Sequence, residues 1–162
     1  MNERFHEIAL EVNGEKVSER VDARTTLVDF LRERLALTGS HVGCEHGVCG
    51  ACSVRVNGAV VRGCLMLAVQ CDGMQVATIE GVARTDEIAD LQQAFIERNA
   101  LQCGYCTPGM LLTAQELLSS GGVPNREAIR AYLSGNYCRC TGYQAIIDAV
   151  EAVAHARAGA QR

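Results

Sequence analysis

Apolar residues alternate with polar ones at Ile8, Leu10 and Val12, the period-two pattern of a strand with one buried face. Asn13-Gly14 follows, a favoured hairpin turn because both residue types tolerate positive φ, and Val17 and Val21 lie on the return strand. Thr26, with Asp29 three positions on, predicts a helix cap, behind which Leu27, Phe30, Leu31 and Leu35 repeat at helical spacing. Asn57-Gly58 signals a second hairpin between Ser53-Val54-Arg55-Val56 and Ala59-Val60-Val61, and a last strand is predicted over 74–79. The first half therefore reads as a small α+β domain.

After Glu80-Gly81 the period becomes helical. Ile88, Leu91, Ala94 and Phe95 form one apolar stripe. Thr107-Pro108 reads as an N-cap and first helical residue opening a helix over 110–118, which Gly121-Gly122 stops. Pro124-Asn125 starts another through Ile129, Tyr132 and Leu133, ending near Gly135. A fourth is predicted from about residue 142 to about 156, with Ile146, Ile147, Val150 and Val153 inward. The change of texture puts a domain boundary between Gly81 and Arg84, giving domains 1–81 and 82–162, with no internal repeat or low-complexity tract.

Composition narrows the function classes. The chain has 162 residues, 48% of them hydrophobic, enough for one ordinary domain or two small ones and too apolar for global disorder. A net charge of −4 and a pI near 5.6 argue against a nucleic-acid surface, which needs a basic stripe. No run approaches the roughly 18 apolar residues that span a bilayer. The first seven residues carry Glu3 and Glu7, no signal-like apolar core and no twin arginine, so the expected location is the cytoplasm, away from the membrane.

Nine cysteines change the picture most. Reducing compartments disfavour disulfides, and an odd number cannot pair fully; thiolates are soft ligands for iron or zinc, and eight would fill two four-cysteine sites. Cys44, Cys49 and Cys52 form Cys-x4-Cys-x2-Cys, the plant-type ferredoxin spacing. The interleaved Gly43, Gly47 and Gly50 are expected to take positive φ and let amide N–H groups approach the sulfurs. A fourth ligand must come from another segment: Cys64, after an interval of eleven residues, or Cys71. His46 reads as a loop histidine facing water. Zinc is the rival metal, although zinc knuckles favour Cys-x2-Cys pairs.

Cys103 and Cys106 make a second group with Cys138 and Cys140, with thirty-one residues between Cys106 and Cys138. Each pair precedes a predicted helix, whose N-terminus favours negative charge. Zinc competes more strongly here, and a thioredoxin-like pair lacks its strand–helix context. Tyr105, Tyr137 and Tyr143 read either as shields or as core, and Arg139 either as a tuning charge or as a solvated one.

The motifs Cys-x4-Cys-x2-Cys-x11-Cys, Gln-Cys-Gly-Tyr-Cys-Thr-Pro-Gly and Asn-Tyr-Cys-Arg-Cys-Thr-Gly-Tyr together resemble the small iron–sulfur subunit of the xanthine dehydrogenase, aldehyde oxidase and carbon monoxide dehydrogenase family of molybdenum hydroxylases. The likeness covers nearly the whole chain. It implies an N-terminal β-grasp, plant-type ferredoxin-like domain and an all-α four-helix domain, each with one [2Fe–2S] cluster. It selects Cys64 over Cys71, giving the ligands Cys44, Cys49, Cys52, Cys64, Cys103, Cys106, Cys138 and Cys140. It further implies a large molybdenum-pterin subunit and a medium FAD subunit in a dimer of heterotrimers. Gln102, before the first cysteine of the second group, would contact the pterin. No nucleophile–base constellation suggests catalysis by this chain alone. A free-standing ferredoxin and a zinc-stabilised interaction module are the competing readings.

Overall fold

The structure, a computed structural model, describes residues 4–160. The first three residues of the stretch read for a signal segment, and the last two of the range 82–162, lie outside the described residues.

Strands β1 (Phe5–Val12) and β2 (Glu15–Asp22) pair antiparallel from Phe5 opposite Asp22 to Val12 opposite Glu15. Asn13 and Gly14 turn between them at φ 54° and 87°, and Ile8, Leu10 and Val12 are buried as their alternation requires. A second hairpin joins β3 (Ser53–Val56) to β4 (Ala59–Arg62) through Asn57 and Gly58, again at positive φ. With β5 (Gln75–Ala77) they form a five-stranded sheet in the order β2-β1-β5-β3-β4, in which β5 runs parallel to β1 and antiparallel to β3.

Helix α1 (Leu27–Asp29) runs on as a π-helical turn, Phe30–Arg34, and lays Leu27, Phe30 and Leu31 on the sheet, fully buried. Thr26 caps it: its Oγ1 accepts the Asp29 N–H at 3.2 Å and donates to the Asp29 carboxylate at 2.6 Å. Cys71 ends a 3₁₀ turn, Ala68–Cys71, and packs in this same core.

The strand predicted over 74–79 is shorter. Thr78 leaves the sheet because Asn13 claims it: its N–H donates to Asn13 Oδ1 at 2.8 Å and its hydroxyl accepts from Asn13 Nδ2 at 3.0 Å. Ile79 then opens α2 (Ile79–Arg84). Helices α3 (Ala89–Glu97), α4 (Thr107–Ser119), α5 (Arg126–Leu133) and α6 (Gln144–Ala160) enclose a second core of Ile88, Leu91, Phe95, Met110, Leu112, Ile129, Ile146 and Val150. α4 starts one residue early: Cys106 is its cap, and Thr107 and Pro108 are its first two residues. Proline costs no bond there, since the first N–H groups of a helix have no intrahelical acceptor. Asn125 caps α5 by accepting the Ala128 N–H at 2.8 Å.

The two cores meet where β3 and β4 lie on α4. The Gly50 carbonyl is the centre of the contact. It accepts from Ser53 Oγ at 2.7 Å and from Asn136 Nδ2 at 3.3 Å. Asn136, 1% exposed, also accepts from Thr113 Oγ1 at 3.1 Å. Arg62 spans the seam, donating to Ser53 Oγ at 2.5 Å and to the Gly135 carbonyl at 2.9 Å. Further out, Val60 N–H donates to Glu116 at 2.7 Å, and Arg55 grips Glu87 through two bonds of 2.8 and 3.0 Å. Gly109 of α4 lies so close that a Cβ there would stand 2.3 Å from the Gly50 oxygen.

Two predictions test this seam. Glycine-to-alanine inside a helix ordinarily stabilises by up to about 1 kcal/mol; Gly109→Ala should instead destabilise by about 1–3 kcal/mol, as overpacking does. Denaturant unfolding of the cluster-loaded chain reads the sign, and a gain in stability would refute the contact. Asn136→Ala strips partners from a buried hydroxyl and carbonyl, so it should cost about 1–3 kcal/mol; a change within 0.5 kcal/mol, roughly the range for an ordinary surface site, would contradict the network.

Candidate metal centres

The first cysteine loop is shaped by residues in the left-handed region: Glu45 at φ 59°, Gly47 at 81° and Gly50 at 75°. Gly43 is not among them. Its requirement is space, because a Cβ there would come within 3.1 Å of Cys49 Sγ, and Glu45 takes the unusual backbone instead. The fold of the loop aims the Cys49 N–H at Cys44 Sγ, 3.4 Å away. That N–H, with that of His46, lowers the Cys44 thiol to about 6. The exposed His46 ring turns to the Cys44 carbonyl, not to a sulfur.

Cys52 is buried, and burial pushes its thiol up to about 11, with Cys64 as its hydrogen-bonding neighbour. The Gly63 N–H donates to the Cys52 carbonyl at 3.1 Å, which brings the Cys64 segment alongside. Cys71 lies elsewhere: it is fully buried in the sheet core, its sulfur 3.8 Å from the Leu67 carbonyl oxygen, and burial alone raises its thiol to about 11. The structure thus brings Cys64, not Cys71, beside Cys52.

The second group converges from the starts of α4 and α6. Cys103 and Cys140 are exposed, with sulfurs 3.6 Å apart. Two thiolates on one tetrahedral metal with bonds of about 2.3 Å would sit about 3.8 Å apart. Cys106 and Cys138 form the half-buried inner pair. Burial, and then Cys138 beside it, pushes the Cys106 thiol up to about 12. Burial opposes ionisation of Cys138 as well, yet its pKa is lowered by the Thr141 hydroxyl at 3.1 Å and N–H at 3.5 Å. The Cys140 thiol is raised, chiefly by its bond with Cys103. Thiolates are soft donors that suit iron–sulfur clusters and zinc alike, and a two-iron cluster takes its ligands two per iron, an arrangement that the Cys103–Cys140 and Cys106–Cys138 pairs fit.

A cleft of about 180 Å³ lies between the loops, lined by Cys49 and Ala51 from one and by Cys103, Cys106, Cys138 and Cys140 from the other. The Tyr137 N–H crosses it to the Cys49 carbonyl at 2.8 Å. Tyr105 also crosses: its hydroxyl donates to the Val42 carbonyl at 2.8 Å, and its ring stacks on His41 at 4.5 Å. Tyr105 and Tyr137 are exposed and not core residues, whereas Tyr143 is half-buried against the helical core. Arg139 is exposed. Gln102 is exposed and donates through Nε2 to the Cys140 carbonyl at 3.1 Å, tying the two cysteine segments together. The bridging parts of His41, Arg62, Thr113 and Asn136 had no signal in the sequence, since each depends on a partner far along the chain.

Comparison with known proteins agrees with this geometry. Residues 10–78 match the model of a 2Fe-2S iron-sulfur cluster binding domain, and residues 78–151 that of a [2Fe-2S] binding domain. The caffeine dehydrogenase subunit gamma of Pseudomonas sp. (strain CBB1) is 51% identical over 91% of this chain and 90% of its own. The nicotine 6-hydroxylase small subunit of Paenarthrobacter nicotinovorans is 51% identical over 89% and 87%. Among solved structures, quinoline 2-oxidoreductase from Pseudomonas putida 86 has a chain with TM-score 0.90 and 44% identity, covering 98% of both chains. With two [2Fe–2S] domains matched end to end and relatives of this identity, the chain belongs to the small iron–sulfur subunits of the xanthine dehydrogenase and aldehyde oxidase family of molybdenum hydroxylases.

Proposed function

We propose that this chain is the electron-relay subunit of a molybdenum hydroxylase complex. Cys44, Cys49, Cys52 and Cys64 would hold one [2Fe–2S] cluster in a β-grasp domain, residues 1–81. Cys103 with Cys140 and Cys106 with Cys138 would hold the other in a four-helix domain, residues 82–162, formed by α3–α6. When bound, the clusters supply one-electron steps between a molybdenum-pterin centre on a large subunit and FAD on a medium one. The chain's own residues fix two relay sites against each other: the observation that carries the reading is that Cys49 of the first set and all four cysteines of the second border one cleft, locked by Asn136, Arg62 and the Tyr137–Cys49 bond.

Assembly into a dimer of heterotrimers in the cytoplasm completes the proposal. Among the described residues no helix is long and apolar enough to cross a membrane. Val48, Leu65, Leu101 and Tyr137 stand exposed beside the cysteine loops, Leu65 by 64%, and supply apolar surface for partner subunits to cover. Gln102 is the pterin contact: its amide nitrogen is occupied by Cys140, and its oxygen has no hydrogen bond among the described residues.

The ligand sets are tested by iron content and spectroscopy. The wild-type chain should contain about four irons and four sulfides under the four-thiolate rule. Cys49→Ser should halve them and remove one of two electron paramagnetic resonance signals on reduction. Loss of both signals in a folded protein, or zinc in place of iron, would defeat the assignment. Gln102→Ala should leave both clusters assembled, while substrate-driven bleaching in the complex slows by about tenfold or more through lost donor–acceptor orientation. Unchanged bleaching in stopped flow would leave Gln102 only as a brace for Cys140.

A further inference from the structure

Cys138 sulfur is served from one residue: it meets the Thr141 hydroxyl at 3.1 Å and the Thr141 N–H at 3.5 Å. With a protonated thiol either atom of the hydroxyl contact could donate. A metal-bound thiolate has no proton, so the Thr141 O–H must be the donor. The rest of the segment is arranged for that polarity. Thr141 Oγ1 accepts the Tyr143 N–H at 3.2 Å, which occupies one of its lone pairs and orients the hydroxyl beside the sulfur. Tyr143 adopts φ 68°, a left-handed conformation that is costly for an aromatic residue. Its hydroxyl accepts the Cys138 N–H at 2.9 Å, closing residues 138–143 into a clip.

We infer that Thr141 sets the reduction potential of the second cluster by donating its hydroxyl hydrogen bond to the Cys138 thiolate, and that Tyr143 is the positioning residue that holds Thr141 in that role. The inference rests on the ligand reading of the preceding subsection. One-electron reduction adds a negative charge to the cluster and its thiolates, with no bond made or broken. A donor at a ligand sulfur stabilises the reduced form more than the oxidised one and raises the potential. Thr141→Val removes the donor and keeps the shape; Thr141→Ser keeps the donor.

The test is a redox titration followed by electron paramagnetic resonance on the full chain in its complex, with both clusters loaded. Thr141→Val should shift the one-electron equilibrium of the second cluster about tenfold toward the oxidised form, or about 59 mV, and leave the first cluster unmoved. Thr141→Ser should stay within about twofold of wild type, a rescue that a purely structural role would not give. Electron–nuclear double resonance in H2O and D2O provides a readout on the wild type itself, so the idea is testable even where the valine variant fails to load. It should show a fast-exchanging hydroxyl proton coupled to the second cluster, distinct from the slower-exchanging Thr141 N–H, that the serine variant retains. Four irons per chain with an unmoved valine potential, or no such hydroxyl coupling in the wild type, would overturn the inference for Thr141. About two irons in the wild type would overturn the ligand reading beneath it.

Discussion

The approach of two backbones at Gly50 and Gly109 governs the rest of the molecule. A carbonyl of the first cysteine loop stands where a side chain at position 109 of α4 would collide with it. Contact this close desolvates the Gly50 oxygen, and a buried carbonyl must find donors. Ser53 and Asn136 supply them, Arg62 ties Ser53 to the Gly135 carbonyl, and Thr113 fixes the asparagine amide. Because Gly50 follows Cys49, and Asn136 is two residues before Cys138, the contact that joins the two cores also sets the separation of the two cysteine groups.

How much of this was legible depends on the range of the interaction. Both Asn-Gly hairpins, the Thr26 cap, the helix start at Pro124-Asn125 and the apolar stripes of α3 and α6 are written within a few neighbouring residues, and the structure has them as read. Two departures come from contacts that the local pattern does not contain. The strand predicted to residue 79 stops at Ala77 because Asn13, on a distant turn, captures Thr78. Gly43 was expected to be needed for its backbone and is needed for room beside Cys49. The cysteines themselves were the plainest signal, but spacing alone left Cys71 as a rival to Cys64. Burial separates them, since Cys71 belongs to the packing under α1 and Cys64 to the loop beside Cys52.

The two cysteine groups differ in exposure, and the difference bears on direction. Cys103 and Cys140 are exposed, with Gln102 bridging to Cys140 at the same surface. Cys106 and Cys138 sit deeper, where burial raises one thiol and Thr141 compensates for the other. Electron exchange with another subunit needs close approach, which the outer pair permits. Exchange within the chain needs a fixed separation, and the Tyr137 N–H, bonded to the Cys49 carbonyl, ties the two loops across the cleft.

The donors to sulfur also differ in kind. Around Cys44 they are backbone N–H groups, aimed by the left-handed turns at Glu45, Gly47 and Gly50. No side-chain substitution removes such a donor without reshaping the loop, and reshaping the loop moves Gly50 and disturbs the seam with α4. Around Cys138 the shorter bond comes from a side-chain hydroxyl, which can be exchanged without touching the backbone. A chain with two one-electron sites must keep their potentials in a usable order, and it can vary them independently only if one set of donors is free of the scaffold. On the proposed ligand sets, the first loop is bound into the scaffold, and the donor that can be exchanged without disturbing it is the Thr141 hydroxyl.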